Sequence, residues 1–138
     1  MPARDSLHHH VRHALERDGW IVTHDPLKLS VRRRKLYVDL GAERLLAAEK
    51  GTQKIAVGIK TFAGASDVRD LEEAVGQFVL YEHALRREDP ERTLYLALPE
   101  TAWQQVFLDA LGEILIDDKV LRVVTFDPSK EEIVRWIL

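Results

Sequence analysis

The stretch LYVDLGAERLLAAEKGTQKIAVGIK, residues 36–60, decides the fold. Tyr37, Val38 and Leu40 set β-favouring bulk around Asp39, and Ile55, Val57 and Ile59 alternate with Ala56, Gly58 and Lys60 at the period of a strand. Between Leu45 and Ile55 the turn signal is Lys50-Gly51-Thr52. The spacing therefore predicts a strand, a second strand, a tight turn and a third strand ending in lysine. A two-residue turn puts Glu43, Leu45, Ala47 and Glu49 on the face of Lys54, Ala56, Gly58 and Lys60, with Glu43 beside Gly58 and Lys60 and Asp39 just beyond. A three-residue turn slips the register by one and separates those faces. Two acids and a lysine converging at one end of a hairpin form the layout of a metal-dependent phosphodiesterase site. Glu49 facing Lys54 near the turn reads instead as a surface cross-strand pair.

The chain of 138 residues has the length for one core and one domain, taken as 1–138. Its 46% hydrophobic and 31% charged content describes a folded globule with a well-solvated surface. A net charge of -3 argues against a protein that coats nucleic acid without specificity, while the uneven placement of 20 Lys and Arg leaves room for a local basic groove. The absence of cysteine excludes a disulfide frame and a thiolate metal site. The opening MPARDSLHHHVRH lacks the apolar run of a signal peptide, and no apolar stretch approaches ~18 residues, so a cytoplasmic protein without a membrane partner is expected.

Before the central stretch, Asp5 or Ser6 can cap a first helix with an apolar stripe of Leu7, Val11, Ala14 and Leu15, ended by Gly19. Trp20-Ile21-Val22 starts a short strand that His24-Asp25-Pro26 breaks. Leu27, Leu29 and Val31 alternate up to the basic run Arg32-Arg33-Arg34-Lys35, which reads as a charged loop or hairpin tip and is the candidate contact to nucleic-acid phosphates. After the central stretch, Ser66 caps a long helix that buries Val68, Leu71, Val75 and Phe78 and runs to Arg87, where Asp89-Pro90 stops it. Gly76 inside it suggests close backbone packing. Thr93 to Leu98 is a continuous apolar run that suits a strand buried on both faces. Glu100 to Leu111 reads as a helix, Val120 to Phe126 as a strand, Asp127-Pro128-Ser129 as a turn and Ile133 to Leu138 as a final strand. The sum is an α/β fold, a mixed sheet with helices on both faces.

The chain resembles the XisH family, the fdxN element excision controlling factors of cyanobacterial type, and through it the PD-(D/E)XK nuclease superfamily with its restriction-endonuclease-like core. The residues that carry the resemblance are His8, Asp18-Gly19-Trp20, Thr23-His24-Asp25-Pro26 and Tyr37-Val38-Asp39-Leu40. Ala42-Glu43, Ala47-Ala48-Glu49-Lys50, Ile55-Ala56-Val57 and Ile59-Lys60 continue it, as do Gly76-Gln77-Phe78, Tyr95-Leu96-Ala97, Asp127-Pro128 and the closing Ile133-Val134-Arg135-Trp136-Ile137.

The superfamily motif implies an acid early in one core strand, then an acid, any residue and a lysine on the next; the acids hold Mg²⁺, and the lysine orients or activates the attacking water. A hard cation wants oxygen ligands, lowers the pKa of water and neutralises charge developing on phosphate. Asp39 matches the first acid and Lys60 the lysine, but Gly58 stands at the position of the second acid. The resemblance thus implies Mg²⁺ that is weakly held or absent, unless Glu43 stands in as the second metal ligand. Gln77 and Tyr81 share a helical face and match the Q-x-x-x-Y element of the RecB-like branch, which lies near the metal site. His8 matches a family position and is expected to approach Asp39 from the first helix. His9 and His13, four apart, read as a solvated face without a third ligand.

Three functions are expected from this: an accessory factor in programmed DNA excision with a degenerate metal site, an active Mg²⁺-dependent endonuclease using Asp39, Glu43 and Lys60, or a structural subunit beside a small XisI-type partner. DNA, an XisI-type protein and further copies of the chain are the expected partners.

Overall fold

Alternating β-branched residues make the centre of the molecule. The computed structural model describes residues 6–45 and 52–137, and in it Ile55, Val57 and Ile59 lie on one face of strand β5 (Thr52–Ile59). Before it come α1 (His8–Arg17), β1 (Ile21–His24), β2 (Leu27–Val31), β3 (Arg34–Val38) and β4 (Leu40–Leu45); after it come α2 (Asp67–Glu88), β6 (Arg92–Pro99), α3 (Glu100–Ala102), a π-helical turn (Trp103–Phe107), α4 (Ala110–Asp117), β7 (Val123–Asp127) and β8 (Glu132–Ile137). Six strands form one sheet in the order β1-β4-β5-β6-β7-β8, and β2 pairs with β3 in a small second sheet. The β5–β6 and β6–β7 pairs are parallel, and the β1–β4, β4–β5 and β7–β8 pairs antiparallel. This is the expected mixed α/β sheet with helices on both faces.

Each face has its own core. On one, Val11, Ala14 and Leu15 of α1 pack on Leu40, Val57 and Phe126. On the other, Leu71, Ala74 and Phe78 of α2 pack on Ala56, Leu94 and Leu96, with Leu27, Leu29 and Val38 of the small sheet closing one end. The α2 helix starts as its sequence demands: the Ser66 hydroxyl accepts from the Arg69 N–H at 3.2 Å, acids occupy the first turn and arginines the last, matching the helix dipole.

The central hairpin has the expected parity but a different register. Glu43 pairs with Lys54 and Leu45 with Thr52, so the register is four residues away from the expected one, which set Glu43 beside Gly58. Glu43 does share the face of Lys54, Ala56 and Gly58, yet it stands four residues along β5 from Gly58, about 13 Å away. Ala47, Glu49 and the Lys50-Gly51 turn lie outside the described residues, as does Leu138.

The helix expected over 100–111 is broken instead. A short α3 passes into the π-helical turn, and a new helix, α4, begins where the Asp109 carboxylate accepts the Ala110 N–H at 2.8 Å. Gly112 makes that break possible, because a Cβ there would run into Phe107 Cα and come 2.5 Å from the Val106 carbonyl oxygen. Backbone cannot swing aside as a side chain does. Gly112→Ala is therefore expected to lower stability by about 2–3 kcal/mol, read as an earlier denaturant midpoint; an unchanged midpoint would contradict this packing.

Candidate functional site: the cleft between β5 and α2

Asp39 occupies the bend where the chain leaves the small sheet at Val38 and enters the large one at Leu40. Its Oδ2 accepts the Ile59 N–H at 2.7 Å, which satisfies the edge of β5 just past the last β4 partner, the Leu40–Val57 pair. Lys60 follows, still tied to the sheet through its N–H to the Ala97 carbonyl at 2.9 Å. Its ammonium turns to α2, donating to Glu73 Oε2 at 2.9 Å and standing 3.9 Å from Asp70 Oδ1.

Asp70 is buried and accepts the Gly64 N–H at 2.9 Å. A Cβ at Gly64 would lie 2.7 Å from its Oδ1, so glycine lets the loop after β5 close on α2. One and two turns beyond Glu73 on the same helix face stand Gln77 and Tyr81. Together Asp39, Gly58, Lys60, Gln77 and Tyr81, with Tyr37 and Phe78, line a cleft of about 240 Å³. Gly58 forms part of its wall, and a Cβ added there would meet nothing within 4 Å among the described residues. Burial, and secondarily the charge of Asp39, push the Tyr81 phenol above its ordinary value, so it keeps its proton and can donate a hydrogen bond at neutral pH.

The fold thus brings together Asp39, Lys60, Gln77 and Tyr81. Glu43 and His8 stand elsewhere. Glu43 Oε1 lies 3.5 Å from Nη2 of Arg92, a buried guanidinium that also donates to Asp89 at 2.9 Å and to the Ile55 carbonyl at 3.0 Å. His8 belongs to α1, which packs on the opposite face of the sheet from α2. Its Nε2 lies 2.6 Å from Asp25 Oδ1, while Asp25 Oδ2 accepts from Arg12 Nη1 at 2.7 Å, so His8 meets Asp25 rather than Asp39.

The residues missed in the sequence are Asp70 and Glu73. The signal was there: Asp70, Glu73, Gln77 and Tyr81 recur at steps of three and four, a polar face on a long helix.

For a divalent cation the cleft offers a short donor set. Asp39 supplies one carboxylate, already bonded to the Ile59 N–H, Gly58 supplies no side chain, and the Glu73 carboxylate is turned to the Lys60 ammonium. A hard cation asks for more oxygens than this. No group of three or more His, Asp or Glu gathers into a cation cage among the described residues.

The first-helix histidines also find a partner. Nδ1 of His10 and Nδ1 of His13 lie 2.9 Å and 3.0 Å from Glu131 Oε2, tying α1 to the β7–β8 turn. Hydrogen bonds from His13 and His10 hold the Glu131 carboxyl below its ordinary 4.5. A depressed folded value contributes stability above the unfolded one and loses it as pH falls through the folded one. Glu131→Gln is expected to melt earlier than the parent at neutral pH and to match it in acid below that range; a gap of equal size at both pH values would contradict the pairing.

A mixed α/β sheet with an acid, a lysine and a polar helix face gathered where its central strand ends defines the structural class. The chain matches the family model described as XisH protein over residues 1–134, and it belongs to the XisH family. It is similar to the crystal structure of an XisH family protein from Nostoc punctiforme PCC 73102, at 38% identity and a TM-score of 0.86, over 97% of this chain and 100% of that one. It is equally similar to the structure of a fdxN element excision controlling factor protein from Anabaena variabilis, again at 38% identity and a TM-score of 0.86, over 98% of this chain and 100% of that one. No curated protein matches the chain. No helix among the described residues is long and apolar enough to cross a membrane.

Proposed function

We propose that this protein is an accessory factor in programmed excision of a DNA element, that it holds DNA through the β2–β3 hairpin, and that it does not cut the strand itself. One observation carries the DNA contact. Arg32, Arg33, Arg34 and Lys35 are all exposed at the tip of that hairpin, and none of their side chains has a hydrogen bond or ion pair among the described residues. Lys60, the cation that lines the cleft, is instead engaged within the chain by Glu73. Four adjacent cations with no partner among the described residues suit a polyanion, because each phosphate they neutralise releases condensed counterions.

The same hairpin leads to the cleft. β3 runs from Arg34 straight to the bend at Asp39, five residues and about 17 Å. The excision role rests on membership of the XisH family and on likeness to a protein described as a fdxN element excision controlling factor. Non-cutting action is supported by Gly58 and by the pairing of Lys60 with Glu73. The pairing of Glu43 with Arg92 weighs against a nuclease built on Asp39, Glu43 and Lys60.

The test is fluorescence anisotropy of labelled duplex DNA titrated with the protein at several salt concentrations. Affinity that falls as salt rises is expected. No binding even at low salt would overturn the reading.

A further inference from the structure

Among the described residues, every large apolar side chain that is clearly exposed, apart from Ile21 and Val134, lies on α2 or on the segment from Leu108 to Ile114. Val68, Leu111 and Ile114 are each about half exposed, at 52%, 49% and 53%. They flank a groove of about 540 Å³ between α2 and α4. On α2 its floor runs through Glu72 and Gly76, and Val79 and Leu80 continue the stripe at helical spacing.

Gly76 is the informative residue. A glycine in mid-helix costs stability relative to alanine, and close packing within the chain was the expected reason for it. Apart from the helix's own nearby backbone, nothing among the described residues comes within 4 Å of where its Cβ would be. The gap it leaves opens into the groove, as a surface met by another backbone requires.

Charge decides what fits. Glu72 lines the groove, Asp67 and Asp109 line the smaller depression continuous with it, and neither is lined by a Lys or Arg. A second copy docked face to face would set these carboxylates against their own kind. A helix whose apolar stripe is flanked by basic residues would bury the stripe and pair the flanks. We propose that the α2–α4 groove docks an amphipathic, basic-flanked helix of a partner protein, with the partner backbone passing over Gly76. The proposal is independent of DNA binding, since the groove shares no residue with the Arg32–Lys35 tip.

The probe is a synthetic helical peptide with leucines at i, i+3, i+4 and i+7 and lysines beside them, compared with the same peptide carrying glutamates for lysines. Fluorescence anisotropy against the full chain is expected to show the lysine peptide binding about tenfold or more tightly than the glutamate one. Gly76→Leu and Ile114→Lys are each expected to weaken the lysine peptide by about tenfold. Gly76→Leu fills open space on a helix and is expected to melt no earlier than the parent, so its loss of binding is not a loss of fold. Equal binding of the two peptides, no binding of either, or unchanged binding to Gly76→Leu would each overturn the proposal. So would a dimer in sedimentation that Gly76→Leu dissociates, which would assign the groove to a second copy.

Discussion

Replacing Arg32, Arg33, Arg34 and Lys35 together by alanine is expected to reduce affinity for duplex DNA by about a thousand-fold at about 0.15 M salt. Each phosphate that is no longer neutralised takes about 0.9 from the slope of log affinity against log salt, so four take about 3.6. The size of the effect follows from position. All four side chains are exposed, and their removal breaks no side-chain hydrogen bond or ion pair among the described residues. The fold is anchored elsewhere in the hairpin, by Leu27, Leu29 and Val38 in the core beneath α2. The variant should therefore melt with the parent while its DNA titration collapses. An unchanged salt slope would reduce the run to a solvated tip.

Gly58→Glu is the second large change expected. Position 58 faces the cleft that Asp39, Lys60, Gln77 and Tyr81 line, and a Cβ there has open space. Glycine inside a strand is unfavourable, so the substitution should leave the protein folded. The new carboxylate adds oxygen ligands beside Asp39, and affinity for Mg²⁺ or Mn²⁺, measured by calorimetry, should rise about tenfold or more. DNA cleavage gained by this variant should disappear when Lys60→Ala is added. A folded variant with no gain in metal affinity would mean that the cleft is no latent cation site.

Much of this architecture is legible in the residue pattern, and the failures have identifiable causes. Period-two alternation at Ile55, Val57 and Ile59 marks a strand because side chains alternate across a sheet. Parity survived the wrong register, since a shift of four residues is even; Glu43 kept its face and changed its neighbours. Register is set by the link between the strands, which the residue pattern alone does not fix. His8 failed for a different reason. Its burial was predictable from the stripe it shares with Val11 and Leu15, but which side of the sheet α1 covers is set by chain path.

Asp70 and Glu73 were hidden by the apolar stripe of α2. Reading that helix for Leu71 and Phe78 finds its core face, while its polar face matters because the crossover from β5 to β6 lays it beside Lys60. The break in the helix expected over 100–111 needed two local signals read together, Asp109 as a cap and Gly112 as a close approach.

The central claim is that this protein contacts DNA without cutting it. The measurement that tests it most directly is a Mg²⁺ and Mn²⁺ titration in the presence of labelled duplex DNA, read at once for binding by anisotropy and for strand scission on a denaturing gel. The account predicts salt-sensitive binding that is present before metal is added, with the DNA intact at every metal concentration. Metal-dependent scission that Lys60→Ala or Asp39→Ala abolishes would contradict it.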